Sequence, residues 1–462
     1  MANSAISTKQ LRSRIRGRAF EPGDPDYDEM RKVFVGGVDK HPAVIVRVAD
    51  AADVARCVDV AREDGFELAV RSGGHSASGY GVTEGGIVID LRDLRNLAVN
   101  VDDGSAWADA GLTARDYSEA THAYGLATGF GDTGSVGIGG LTVGGGIGLL
   151  SRKYGLTVDD LIAAEVVTAD GQIRRADAQT NPELYWAIRG GGGNFGVSTR
   201  FEFRLHQVGT VLGGLLILPA TAETITSFVA AAEAAPDELT TIANVMPAPP
   251  LPFIPAEHRG KIVILATVVY DGAIDVGQHV LATIRSAVRP IADLIRPMQY
   301  PEIFPPDIPD FHPMGATRNM YLDTVDHRAA EVIMQYLETS TAVQRAAQIR
   351  VLGGAIARVP NEATAYAHRT RRILVNVAAA YSHIHEAATH QAWADAFWQA
   401  LRSGQTGAYV NFLGSDGTAR IHEAYPGQTW ERLTRIKARY DPTNLFHLNQ
   451  NVTVDSGQHP AA

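Results

Sequence analysis

The sequence predicts an α+β protein in two parts, with a C-terminal segment of separate character. Three observations carry this. Glycine clusters are confined to the region before about residue 208. Beyond it, alanine-rich helical stretches at 221–235 and 328–347 are mixed with strand-like runs, which reads as a sheet covered by helices. Near residue 415 an amphipathic stretch and a turn-rich close begin. The boundaries read this way are 1–207, 208–414 and 415–462, and 462 residues suffice for two or three sizeable cores.

Residues 11–40 read as an irregular lead-in. Pro42–Val48 is rich in β-branched residues and predicts a buried strand. Val54, Cys57, Val58 and Ala61 follow at helical spacing, and Gly65 stands where a C-terminal cap wants glycine. Cys57 lies on the apolar face of that helix and reads as packing. The strand Phe66–Val70 then leads into Arg71-Ser72-Gly73-Gly74-His75-Ser76, and a second strand, Gly86–Leu91, follows. Paired glycines let the backbone turn through positive φ and approach a ligand closely, and their N–H groups can converge on a phosphate. Arg71 is expected to add a fixed positive charge. His75 is the only nucleophile of any strength in the loop. These features point to a loop that holds a dinucleotide bonded to His75. The loop by itself also fits a turn carrying a surface histidine, so the rest of the chain decides.

A strand and a helix capped by Thr113 precede the second glycine cluster, Thr133–Gly148. So many glycines in one run suit a backbone wrapped against a flat ligand. In the third cluster, Gly191, Gly193 and Gly196 formally satisfy G-x-G-x-x-G. The nicotinamide-dinucleotide reading needs strand, loop, then helix. Here a helix-like stretch, Glu183–Ile188, comes first and a strand, Val197–Phe203, comes after, so that reading is rejected. Pro247–Pro252 and Pro301–Pro309 connect elements in the second part, and Trp430–Arg439 is amphipathic.

Composition narrows the function. The hydrophobic fraction is 45% and the net charge −10, without the basic footprint of a nucleic-acid binder. One cysteine rules out an internal disulfide and a thiolate zinc cage. Met1–Lys9 has no apolar stretch of signal-peptide length, and no run reaches a membrane span, so the chain reads as soluble and cytoplasmic.

Several motifs together resemble the berberine bridge enzyme-like, FAD-linked oxidases of the vanillyl-alcohol-oxidase superfamily, with its PCMH-type FAD-binding fold. They are Arg71–His75; Val136–Gly140 with Gly144–Gly146; Arg152–Leu156 with Asp159; Arg189–Gly196; and Tyr440–Phe446 with Asn449–Asn451. The resemblance runs nearly end to end. It implies an FAD domain made by 1–207 and the C-terminal segment, and a substrate domain with a helix-covered antiparallel sheet. It also implies a link from His75 to the flavin 8α-methyl carbon. Gly73, Gly74, His75 and Ser76 would hold the pyrophosphate through backbone N–H groups, with Arg71 and Ser72 beside them. Ser135, Val136, Gly139, Gly140, Gly146 and Val197 would line the flavin or adenosine, with Asn449 also at the cofactor. Tyr154 is either contact or packing. The second, cysteinyl link of many members falls on Thr133, so a single covalent link is expected. Val136 falls where the family places a residue that gates oxygen, and its modest size fits an oxidase.

The chain departs from the family at the base. The tyrosine expected after Tyr409-Val-Asn411 is Phe412, and a second base position falls near Asn376. The residue after Gly139–Gly140, often histidine in plant members, is Leu141. Asn411, Tyr409 and Asn376 are the expected active-site residues, with Tyr381, His383, Tyr321 and His312 as further candidates for the base. The implied activity is oxidation of a small organic amine or alcohol, or of a secondary-metabolite intermediate, with hydride passing to flavin N5 and O2 giving H2O2. The alternatives are a dehydrogenase or oxidative cyclase with another acceptor, and a flavin-binding protein without turnover. Substrate identity and oligomeric state are not readable.

Overall fold

The computed structural model describes residues 11–308 and 310–454, so Met1–Lys9 lies outside the described residues. The first strand–helix–strand unit forms as the apolar spacing predicts. Val44–Arg47, Ile87–Asp90 and Leu68–Arg71 pair in parallel, and Arg18–Phe20 from the lead-in adds antiparallel to the outer edge. The helix Ala51–Asp64 covers them. Asp50 caps its first turn by accepting from the Asp53 N–H, and Gly65 ends it at φ 72°. Asp53 also accepts the Arg16 and Gly17 N–H groups, which ties down the lead-in.

A second, antiparallel sheet runs in the order Leu97–Asn100, Ser105–Asp109, Val197–Arg204, Leu161–Val167, Ile173–Asp177. Thr113 forms a capping box with Asp116 at the start of Ala114–His122. The Thr133–Gly148 cluster contains a short helix, Ile138–Val143, that the glycine count concealed.

The third sheet is larger and antiparallel. Its order is Ala292–Asp293, Thr210–Pro219, Ile262–Tyr270, Leu239–Pro247, Gln344–Val351, Ile373–Tyr381, Met314–Leu322, with Arg296–Gln299 also on Thr210–Pro219. The helices Ala222–Ala234, His327–Thr339 and Ala387–Arg402 contribute buried apolar residues to the core on one face. The helical stretch expected over 328–347 stops at Thr339. Gln344–Val351 is a strand because pairing with Ile373–Tyr381 and Leu239–Pro247 overrides alanine's helical preference.

This core draws its buried members from 212–401. The first core draws mainly on residues before 212, and Ala408, Leu413, Leu433, Ile436, Phe446 and Val452 from the chain's last part join it. Cys57 is fully buried there, and burial pushes its thiol pKa up. Among the described residues no helix is long and apolar enough to cross a membrane.

Candidate active site

A cavity of about 480 Å³ opens between the glycine loops, the third sheet and the C-terminal segment. Its size is that of a cofactor or small-molecule site. Two backbone segments approach closely along one wall. A Cβ added to Gly73 would stand 2.3 Å from the Gly137 nitrogen, and one added to Gly137 would stand 2.1 Å from Ser72 Oγ. Ser72 Oγ donates to the Ala110 carbonyl at 2.6 Å and fixes the start of the loop. Gly74 turns the loop at φ 75°.

The residues suit FAD on two observations. First, none of the N–H groups of Gly73, Gly74, His75 and Ser76 donates to another described residue, although the loop lines the cavity. A run of free backbone donors at a concave wall is an anion site. Second, three side-chain oxygens on the wall are buried without a partner: Ser198 Oγ, Asn376 Oδ1 and Asn449 Oδ1. Buried polar atoms of this kind call for a ligand or water.

His75 also lines the cavity. Its ring stacks on Phe34, with centroids 4.1 Å apart and planes 18° apart. Burial lowers its pKa to about 4, opposed in part by a bond to the Ser135 carbonyl. The imidazole is therefore neutral at physiological pH. A neutral imidazole carries one N–H and keeps a lone pair on its other nitrogen.

Of the expected cofactor residues, Arg71, Ser72, Gly73, Gly74, His75, Ser76, Val136, Gly139, Gly140, Val197 and Asn449 all line the cavity. Two do not, and one does so without the expected role. Gly146 sits behind the wall, where its N–H donates to Tyr409 Oη at 3.0 Å. Ser135 contributes its carbonyl to His75 rather than a surface of its own. Arg71 is 2% exposed and brings no free charge. Its guanidinium pairs with Asp90 at 2.7 Å and donates to the Lys32 and Met30 carbonyls, so it braces the lead-in under the loop.

Asn411, Tyr409 and Asn376 meet at the cavity, together with Phe412. Asn411 Nδ2 donates to the Leu141 carbonyl at 3.0 Å and to Tyr409 Oη at 2.9 Å. Tyr409 Oη thus accepts from Gly146, Ile147 and Asn411. Burial raises its pKa, and these bonds oppose the rise. An oxygen so occupied has no free lone pair for a substrate proton.

The other candidate bases do not line the cavity. Tyr321 is bonded to Tyr366 at 2.8 Å, Tyr381 stacks on His390, His383 on His385, and His312 Nδ1 lies 2.8 Å from the Val33 carbonyl. Tyr154 is packing: it stacks on His206 and donates to Asp271. Sequence reasoning missed Phe34, Thr317, Asp132 and Arg350. Arg350 had a visible signal, since Gln348 and Arg350 put polar groups at period two between the apolar Ala347, Ile349 and Val351.

Comparison with known proteins agrees with this geometry. A family profile described as "FAD binding domain" matches residues 42–177, and one described as "Berberine and berberine like" matches 408–453. The chain is 29% identical to the FAD-linked oxidoreductase YvdP of Bacillus subtilis, over 95% of this chain and 98% of that protein. It is 28% identical to (R)-6-hydroxynicotine oxidase of Paenarthrobacter nicotinovorans, over 95% and 97% of the two chains. The crystal structure of 6-hydroxy-D-nicotine oxidase from Arthrobacter nicotinovorans superimposes with a TM-score of 0.84 at 26% identity, covering 95% of this chain and 98% of that one. BBE-like 1 of Physcomitrella patens shares the fold, with a TM-score of 0.86 at 23% identity, over 95% and 97% of the two chains.

The fold and its relatives define an FAD-linked oxidoreductase. Within that class the chain carries the FAD-binding and berberine-like segments and is similar to the berberine bridge enzyme-like oxidases of the vanillyl-alcohol-oxidase family.

Proposed function

We propose that the chain is an oxidase of a small organic amine or alcohol with FAD attached covalently and singly through His75, residues 1–207 and 415–462 forming the FAD domain and 208–414 the substrate domain. The observation that carries this is the pairing of a loop of unspent N–H donors with a neutral histidine whose free nitrogen keeps its lone pair. Bound FAD supplies a two-electron acceptor, taking hydride at N5 and returning the electrons to O2 as H2O2.

The chain's residues bind and orient. The N–H groups of Gly73 to Ser76 hold the pyrophosphate. Phe34 and the Ser135 carbonyl fix the His75 ring. Asn411 fixes the wall by joining Leu141 to Tyr409. Val136, Leu141, Val143 and Phe412 offer an apolar surface to the substrate. Thr133 stands where other members have a second linking cysteine, which supports a single link.

The test is a spectrum taken before and after acid precipitation, on wild type and His75→Ala. Yellow colour is expected to stay with the wild-type pellet and to move to the supernatant in the variant. A protein that stays colourless after reconstitution with FAD overturns the reading. Colour that remains bound in the variant overturns the site of attachment. With a substrate in hand, anaerobic bleaching that air reverses marks an oxidase, whereas reversal only by a dye marks a dehydrogenase.

A further inference from the structure

The cavity has a proton-accepting group that the family motifs do not mark. Among the described residues lining it, Asp132 is the only carboxylate. Its competitors are committed elsewhere: Tyr409 Oη already accepts three N–H bonds, and Phe412 and Asn376 are not bases. Asp132 is held from the opposite wall. Arg350, 3% exposed and on the strand Gln344–Val351, donates from Nη2 to Asp132 Oδ2 at 2.7 Å. Arg350 is held in turn by Gln348 Oε1 at 2.9 Å and lies over the Phe412 ring at 5.1 Å. Gln348 Nε2 donates to Asn244 Oδ1 at 3.1 Å. This chain of bonds anchors Asp132 from the centre of the third sheet. The Asp132 side chain keeps 27% of its surface accessible, and Oδ1 has only a long 3.3 Å bond from Thr133.

We infer that Asp132 receives the O–H or N–H of the substrate, with Arg350 as its positioning residue, and that the substrate is an apolar molecule carrying such a donor on the carbon that is oxidised. This rests on the FAD-oxidase reading above. For an alcohol, the C–H bond breaks and its electron pair leaves as hydride to the bound FAD. The O–H electron pair becomes the second bond of C=O, and the proton passes to the Asp132 carboxylate, then to water. Thr317 and Asn376 lie on the same cavity wall, and Val136, Leu141, Val143 and Phe412 meet the apolar body. A carboxylate placed here selects a donor, because a bound substrate lacking one would cover the acceptor without pairing it.

The test compares benzyl alcohol with benzyl methyl ether, which has the same ring and oxygen but no O–H. Binding is read from the flavin difference spectrum and, independently, from the rise in melting temperature. Wild type is expected to bind the alcohol at least tenfold more tightly than the ether. Asp132→Asn should abolish or invert that ratio, because its amide turns oxygen to Arg350 and NH2 to the cavity. Asp132→Glu should restore the ratio. The double variant Asp132→Ala with Arg350→Met removes the pair together, a replacement that buried ion pairs commonly tolerate, and should show no preference. Equal binding of both probes by wild type, or a preference that survives in Asp132→Asn or the double variant, overturns the proposal. If the purified protein takes up no flavin, the oxidase reading falls, while the melting shifts still decide whether Asp132 selects the donor.

Discussion

Gly137 shows how a single position shapes the cofactor wall. Its hydrogen faces Ser72 Oγ and the Gly73 nitrogen, where a Cβ would stand 2.1 and 2.2 Å away. Contacts that short force the two loops apart. Gly137→Ala is expected to cost about 2–3 kcal/mol of stability and to lower the flavin content, measured by thermal melting and by absorbance ratio. Unchanged flavin occupancy would refute the role given to this contact. The glycines and His75 were legible because their chemistry is local to the motif. Arg71 was misread because its partner comes from another strand: the parallel register sets Arg71 opposite Asp90, and the pair neutralises the charge that the loop was expected to use. Phe34 was illegible, since only folding brings its ring onto His75, and Asp132, although next to the second glycine cluster, gives no sign of its partner Arg350, 218 positions on.

The C-terminal helix Gln428–Tyr440 was visible as an amphipathic stretch, yet its main contribution is polar. Lys437 is fully buried and donates to Asn194, Phe446 and Asp441, so one ammonium joins the third glycine cluster to the residues that close the cavity. Burial lowers its pKa, opposed by the Asp441 carboxylate. Lys437→Met leaves that carboxylate buried and uncompensated. A loss of about 3–5 kcal/mol is expected, seen as a lower melting temperature together with a lower flavin content per chain, because Phe446, Leu448 and Asn449 line the wall. A lower flavin content without a lower melting temperature would show that the helix acts on the cofactor alone. Element type was readable in most places, but the end of His327–Thr339 was not. The alanines that follow carry a helical preference that only strand pairing can override.

Across the whole molecule, acid should weaken the fold. His368 is 7% exposed, and burial lowers its pKa to about 4 against the carbonyl bonds that raise it. In the unfolded chain a histidine titrates near 6.5. Above that pH both states are neutral and nothing is lost. As pH falls from 6.5 towards 4, only the unfolded chain takes the proton, so stability drops by up to about 3 kcal/mol for this group. Melting temperatures measured between pH 7.5 and 4.5 should fall, and His368→Gln should flatten the decline. A profile equally steep in the variant would assign the effect to other groups, His75 among them. The two buried cores could be anticipated from the change in composition, whereas the ion pairs across their junction could not, since Arg369 and Asp159 or Arg350 and Asp132 stand far apart in the chain.

The cavity wall draws on residues 72–76 and on 446–450, nearly opposite ends of the described chain. At the ribosome's roughly 5–20 residues per second, these two halves emerge on the order of half a minute apart. A nascent chain therefore displays the dinucleotide loop long before anything can enclose a ligand against it. Cofactor capture is accordingly expected to be a late event, one that follows chain release rather than elongation.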